Sequence, residues 1–187
     1  MLDALNPSRP VVFLNTDEVP AVETRVGHLV CNETEAILVQ QLICALLRAG
    51  VPGYLVGVIS PYRHQLKLIT RLFQQVSAIA CEDIEINTVD KYQGRDKSCI
   101  VVSLARSNAN SNVGDLLRDW RRVNVAITRA KRKLVLIGSL KTLKSSLLFH
   151  ELLDLLQERD WIQVLPQDAQ RLFSFITCAS QQPSQRQ

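Results

Sequence analysis

At 187 residues with 47% apolar side chains, the chain is long enough for one domain with a sizeable core, and no stretch in it reaches the roughly 18 consecutive apolar residues of a membrane span. Its 22 lysines and arginines exceed its 18 aspartates and glutamates for a net charge of +4, a mild excess that suits an anionic partner without demanding one. Cys31, Cys44, Cys81, Cys99 and Cys178 form no Cys-x-x-Cys pair and have no histidine at metal-site spacing, so no metal site is expected and reduced thiols in an intracellular compartment are.

Residues 1–10 carry two prolines and no continuous apolar run, and read as an N-terminal extension. From 11 to 166, short apolar runs alternate with amphipathic stretches. Val11 to Leu14 predicts a strand. Glu33 to Arg48 predicts a helix, with Asn32 as cap, Glu35 placed for a capping box, and Gly50 and Pro52 beyond its end. Val56 to Ile59 reads as a strand, Arg63 to Gln75 as a helix, and Ile84 to Val89 and Cys99 to Leu104 as two further strands. Arg106 to Gly114, rich in Ser, Asn and Gly, reads as a long exposed loop that orders on binding. A helix over about 119–131, a strand at Leu134 to Ile137 and a helix over 146–160 complete the series. Residues 167–187 read as a tail, partly disordered, ending in a Gln- and Ser-rich run. This rhythm predicts an α/β fold, a parallel sheet with helices on both faces. Ligands of such sheets gather at the carboxyl ends of the strands, where Ser60 to Arg63 and Thr88 to Lys97 are expected to lie.

Three segments can carry chemistry. Arg121 to Arg132 is basic and runs straight into an apolar strand. Helical spacing would put Arg122, Arg129 and Arg132 on one side, with Arg121, Asn124 and Thr128 on a neighbouring stripe. One such arginine can neutralise charge on a transferring phosphoryl group, and the row is equally explained as a solvated helix face. In Asn87 to Lys97, Thr88 can offer a hydroxyl to a phosphate, Gly94 permits close backbone approach and Asp96 can accept from ribose hydroxyls; a simple turn would favour the same Gly and Asp. In Gly57 to Gln65, Ser60 can cap a helix or contact a nucleic-acid phosphate, Tyr62 suits a core and His64 a surface. No carboxylate pair, catalytic triad or metal cluster competes with these.

The order and spacing of the three segments resemble the carboxyl-terminal lobe of superfamily 1 helicases, the group that includes the nonsense-mediated-decay RNA helicase and the eukaryotic DNA replication helicase/nuclease. Ser-Pro-Tyr-Arg-x-Gln at 60–65 resembles motif IV, Thr-Val-Asp-Lys-Tyr-Gln-Gly-Arg-Asp at 88–96 motif V, and Val-Asn-Val-Ala-Ile-Thr-Arg-Ala at 123–130 motif VI. Asp-Lys-Tyr-Gln-Gly-Arg-Asp-Lys-Ser and Asp-Trp-Arg-Arg at 119–122 resemble the helicase/nuclease branch, whose members are nuclear and mitochondrial. The resemblance implies a RecA-like second motor lobe over residues 11–166. It implies Arg129 as the arginine finger, Gly94, Arg95 and Asp96 toward the nucleotide, and Ser60 and Thr88 toward single-stranded DNA. Many relatives have Glu where this chain has the shorter Asp96. ATP with Mg2+ would be held mainly by an N-terminal helicase lobe, because no Gly-x-x-x-x-Gly-Lys-Ser/Thr run occurs here. The iron–sulfur cluster and nuclease of the parent family would also lie outside this chain. An RNA-directed lobe and a non-catalytic nucleic-acid-binding module are the other readings.

Overall fold

The computed structural model describes residues 2–75, 83–92 and 94–178. The expectation of disorder at the far end of the tail, from 179 to 187, and Gln93 of motif V lie outside the described residues. In chain order the elements are α1 (Leu2–Leu5), β1 (Val11–Asn15), β2 (Thr24–Val26), β3 (Leu29–Cys31), α2 (Glu33–Arg48), β4 (Val56–Ser60), α3 (Arg63–Gln74), β5 (Glu85–Thr88), β6 (Lys97–Ser103), α4 (Asp115–Arg118), α5 (Trp120–Ile127), β7 (Ala130–Gly138), α6 (Leu140–Leu143), α7 (Leu147–Glu158), β8 (Ile162–Val164) and α8 (Ala169–Cys178).

Six strands form one sheet in the order β5-β4-β6-β7-β1-β8, every neighbouring pair parallel. Alternate side chains of each strand enter opposite cores, as strand geometry requires. Val12, Leu14, Val58, Val101, Val135 and Ile137 pack under α2, α3 and α8. Phe13, Ile59, Ile100, Val102, Leu134 and Leu136 pack under α5, α6 and α7. Burial on both faces is why the strands read as unbroken apolar runs. The arrangement is the parallel α/β sheet that the alternation of strands and helices predicts, and it matches the RecA-like lobe that the resemblance implies.

The helix expected at 33–48 forms with those bounds, and Asn32 Oδ1 accepts from the Glu35 N–H at 3.0 Å. The Glu35 carboxylate does not close a capping box with its backbone partner. It turns inward, accepting from Ser103 Oγ and the Ala105 N–H, both at 2.8 Å.

Two expectations are corrected. The helix foreseen over 119–131 ends at Ile127, and β7 begins at Ala130, so Arg122, Arg129 and Arg132 do not share a helical face. The helix stops because its last carbonyls find side-chain donors: Thr128 Oγ1 donates to Asn124 O at 2.7 Å and Arg129 Nε to Val125 O at 3.1 Å. The loop at 106–114 is already ordered. Arg106 Nε, the Ser107 N–H and Asn108 Nδ2 all donate to Glu23 Oε2 at 2.9, 2.8 and 3.0 Å. Arg106 and Glu23 are nearly fully buried, an ion pair spanning 83 positions of sequence.

Further elements were not foreseen. β2 and β3 form an antiparallel hairpin over the carboxyl side of the sheet, β8 extends the sheet beyond β1, and α8 packs on α2, where Gln41 Nε2 donates to Gln170 O at 2.8 Å.

Candidate nucleotide and nucleic-acid sites

The sequence reading puts Ser60 to Arg63 and Thr88 to Lys97 at the carboxyl ends of the strands; the structure divides the candidate site residues between two opposite edges. Ser60 and Thr88 are register partners at the carboxyl ends of β4 and β5. Gly94, Arg95 and Asp96 instead precede β6, and Arg129 precedes β7, so these four sit at the amino ends. A 3-10 turn over Val89–Tyr92 carries the chain down the sheet from one edge to the other. Its anchor is Tyr92, fully buried, whose hydroxyl donates to Glu85 O at 2.8 Å. Gly57 makes room for that ring: a Cβ there would lie 2.1 Å from the Tyr92 hydroxyl.

At the amino edge the Arg129 guanidinium is held on three sides. Nε donates to Val125 O at 3.1 Å, Nη2 to Thr128 Oγ1 at 3.1 Å and Nη1 to Asp96 Oδ1 at 3.0 Å. Its side chain is 22% exposed and that of Asp96 43% exposed, so the pair lies at the surface. The Lys97 N–H donates to Arg129 O at 3.0 Å, which ties the start of β6 to the same turn. Gly94 adopts φ +76°, a left-handed conformation that glycine tolerates and other residues rarely do, and a Cβ there would meet nothing within 4 Å. The backbone is thus open to approach. Arg95 points away from this group, donating to Glu85 Oε1 at 2.7 Å. Burial acts to raise the Glu85 carboxyl, but hydrogen bonds from Arg95 and Lys97 outweigh it and hold the group below the usual carboxylate range. In this structure Arg95 pairs with Glu85 at the surface, while Gly94, Asp96 and Arg129 form one cluster.

At the carboxyl edge, Ser60 has no exposed surface, and its Oγ accepts from the Tyr62 N–H at 3.3 Å. Its hydroxyl shapes the turn into α3 and is closed to a strand lying on the surface. Tyr62 is core, as its residue type suggests, and His64 is exposed. Thr88 does reach an open cleft of about 320 Å³ that it lines with His28, Tyr62, Arg63, His64 and Arg122. His28 and Tyr62 also line a cleft of about 420 Å³ under the β2–β3 hairpin, beside Arg25, Arg106 and Arg118. On the other side, Arg122 and Asp90 continue into a cleft of about 290 Å³ with Asp119, Arg121 and Val125. The shared residues make these three clefts one groove. Asp90 and Asp119 hold Arg122 over it, with Oδ1 of Asp90 at 3.2 Å from Arg122 Nε and Oδ2 of Asp119 at 3.9 Å.

Sequence reasoning missed Arg63, Arg118 and the hairpin residues Arg25 and His28 as groove walls. The signal available was the density of arginine in Arg118 to Arg122; nothing local marks the hairpin. Among the described residues, no three His, Cys, Asp or Glu side chains gather as a metal site, and no helix is long and apolar enough to cross a membrane.

The family model described as "AAA domain" matches residues 1–141. The chain is 49% identical over 167 residues to the DNA replication ATP-dependent helicase/nuclease DNA2 of Xenopus tropicalis, covering 89% of this chain and 16% of that protein. The protein of the same name in Homo sapiens is 46% identical over 166 residues, 89% of this chain and 15% of that protein. In Saccharomyces cerevisiae the identity is 41% over 174 residues, 92% of this chain and 11% of that protein. The chain thus spans a small fraction of the relatives it matches. With motifs IV, V and VI placed at the two edges of a parallel α/β sheet, it belongs to the AAA-domain family and, within it, to the carboxyl-terminal RecA-like lobes of superfamily 1 helicases.

Proposed function

We propose that this chain is the second motor lobe of an ATP-dependent single-stranded-DNA translocase or helicase that serves DNA replication and repair in the nucleus, as part of a helicase/nuclease. The observation that carries the reading is the 3.0 Å contact between Arg129 and Asp96, which joins motifs V and VI at one point of the amino edge. Residues 11–166 are the lobe proper, and α1 and α8 complete its core.

The cluster suits the edge of a nucleotide and lacks a phosphate cradle of its own. A planar guanidinium beside an open glycine backbone and an exposed carboxylate matches a γ-phosphate on one side and a ribose on the other. ATP and Mg2+, bound mainly by an N-terminal lobe, supply the phosphoanhydride and its charge. Arg129 exchanges Asp96 for phosphate oxygen when the lobes close, and takes Asp96 back when they open. Asp96 thereby holds the finger in place between turnovers. Any iron–sulfur cluster and nuclease site belong to the rest of the parent protein.

Helix α5 links this cluster to the groove. It starts with Trp120, Arg121 and Arg122 near the groove and ends two residues before Arg129, a length of about 12 Å at the usual helical rise. A shift of Arg129 toward phosphate therefore moves the groove wall, and Thr88 with Arg63 and Arg122 would grip the strand. The relatives are named for DNA replication, which favours DNA over RNA as that strand.

The test replaces the equivalent lobe of one of these relatives with this chain. Single-strand-stimulated ATP hydrolysis by the chimera and none by the chain alone is the expected result. Hydrolysis by the chain alone would overturn the assignment, and stimulation by RNA but not DNA would transfer it to the RNA-directed reading.

A further inference from the structure

Trp120 is 59% exposed on the first turn of α5, and no other large apolar side chain between residues 114 and 128 is exposed. Its neighbours are charged. Arg121 lies over the indole with its guanidinium carbon 5.9 Å from the ring centroid, and the same Arg121 lines the last cleft of the groove together with Arg122. Arg118, the last residue of α4 and two positions before it, is also exposed.

A protein partner would normally find an apolar patch around such an anchor, with charged residues excluded from its centre. Here Arg118, Arg121 and Arg122 flank an indole that no other exposed apolar side chain of this segment joins, with Arg122 paired to Asp90 and Asp119 in the same cleft; cations that track a backbone beside an aromatic face that receives a base suit a single-strand site. We infer that Trp120, with Arg121 on its ring, is a base-stacking platform at the end of the groove, and that its ligand is an unpaired nucleobase of the strand held by Thr88 and Arg122. This rests on the single-strand reading above and adds a contact made to the base rather than to the phosphate. The platform is indifferent to sequence, because every base offers a π-face.

The experiment is fluorescence anisotropy of a labelled oligothymidylate, and of an abasic oligonucleotide of equal length, with the 187-residue chain and its Trp120→Phe and Trp120→Ala variants. Since Trp120 is exposed, unchanged thermal melting is expected to accompany both substitutions. Trp120→Ala should weaken oligothymidylate binding about tenfold or more, Trp120→Phe much less, and neither should alter binding of the abasic strand. In a Trp161→Phe background, where Trp120 is the remaining tryptophan, oligothymidylate should quench the emission and the abasic strand should not. Equal affinity of wild type and Trp120→Ala for oligothymidylate overturns the platform while leaving the groove intact. An equal loss on both strands assigns Trp120 to structure instead. No binding of either strand by the wild-type chain defeats the single-strand reading and the platform with it.

Discussion

Arg129 Nη1 and Asp96 Oδ1 lie 3.0 Å apart although 33 positions separate them, and each comes from the turn that enters a different strand of the sheet. The pair is at the surface, where such ion pairs contribute at most about 1 kcal/mol. Its worth is positional: it is one of three contacts fixing the guanidinium. In the chimeric motor, Asp96→Ala should therefore lower ATP turnover while shifting the urea midpoint of the isolated chain only slightly. A rise in KM for ATP with turnover unchanged would assign Asp96 to the ribose alone.

Glu35 supplies a pH dependence. The carboxyl is fully buried, and burial pushes it from its ordinary 4.5 up to about 8, against the opposing pull of the Ala105 N–H and Ser103 hydroxyl. Below pH 4.5 the folded and unfolded chains are both protonated there. Between 4.5 and about 8 the unfolded chain gives up the proton and the folded chain keeps it, so this group's contribution to stability falls as pH rises, by at most about 1.4 kcal/mol per unit. Glu35→Gln removes the titration. Urea unfolding across this range should show wild type losing stability relative to Glu35→Gln up to about pH 8 and no further relative change above it. A difference that does not vary with pH would mean that Glu35 is ionised in the folded chain.

The buried pair of Glu23 and Arg106 predicts a steep loss on truncation. Glu23→Ala leaves the Arg106 cation without its carboxylate, with side-chain exposure of only 5%, and strips acceptors from the Ser107 N–H and Asn108. Removing one partner of a buried pair costs about 3–5 kcal/mol. Calorimetry should find Glu23→Ala far below wild type in Tm, and limited proteolysis should cut first within 106–114.

How much of this was legible differs by segment, for physical reasons. α2 could be read to the residue, because Asn32, Gly50 and Pro52 are local signals at both ends. The end of α5 could not. Ala126 to Lys131 carries no glycine or proline, and the switch to strand at Ala130 is imposed by its pairing with Lys97, a contact between distant parts of the chain. The same long-range origin hid the order of the 106–114 loop, whose organising carboxylate is Glu23. The motifs marked Arg129, Asp96 and Gly94 as residues of interest, but not that they share the amino edge, since the descent through Tyr92 depends on its packing against Gly57. For Ser60 the residue type suits both a turn and a phosphate, and its full burial, which favours the turn, depends on packing that no local signal shows.

That packing gives a fourth prediction. In Gly57→Ala the new methyl carbon would stand 2.1 Å from the Tyr92 hydroxyl and 2.8 Å from Ile100 Cδ1. Overpacking of this kind costs about 1–3 kcal/mol. Tyr92→Phe removes the nearer atom, so the double variant should be less destabilised than the sum of the two single changes, measured as a double-mutant cycle in urea. Simple additivity would mean that the strand moves instead of the ring.

The last prediction separates a finger from an ordinary arginine. Arg129 offers Nη1 and Nη2 on one plane, and at present they bind Asp96 and Thr128. If the same fork receives phosphate in the closed motor, Arg129→Lys should cost turnover heavily although the charge is kept, because an ammonium lacks the planar pair of donors. Fingers of this kind are worth roughly a thousandfold or more in turnover. Arg132, on β7 and exposed, serves as the control: Arg132→Lys should leave turnover within about threefold, the scale of a surface change. Both variants are measured in the chimeric motor, with single-strand affinity recorded in parallel so that a defect in DNA binding is not taken for one in hydrolysis. Arg129→Lys also weakens the C-terminal cap of α5, since lysine cannot donate to Val125 O and Asp96 together as Nε and Nη1 now do. That structural part should appear as a modest fall in Tm. A large loss of turnover with Tm and DNA affinity nearly intact is the result that assigns Arg129 to the transferring phosphoryl group. Near-normal turnover in Arg129→Lys, or an equal loss in Arg132→Lys, would remove it from that role.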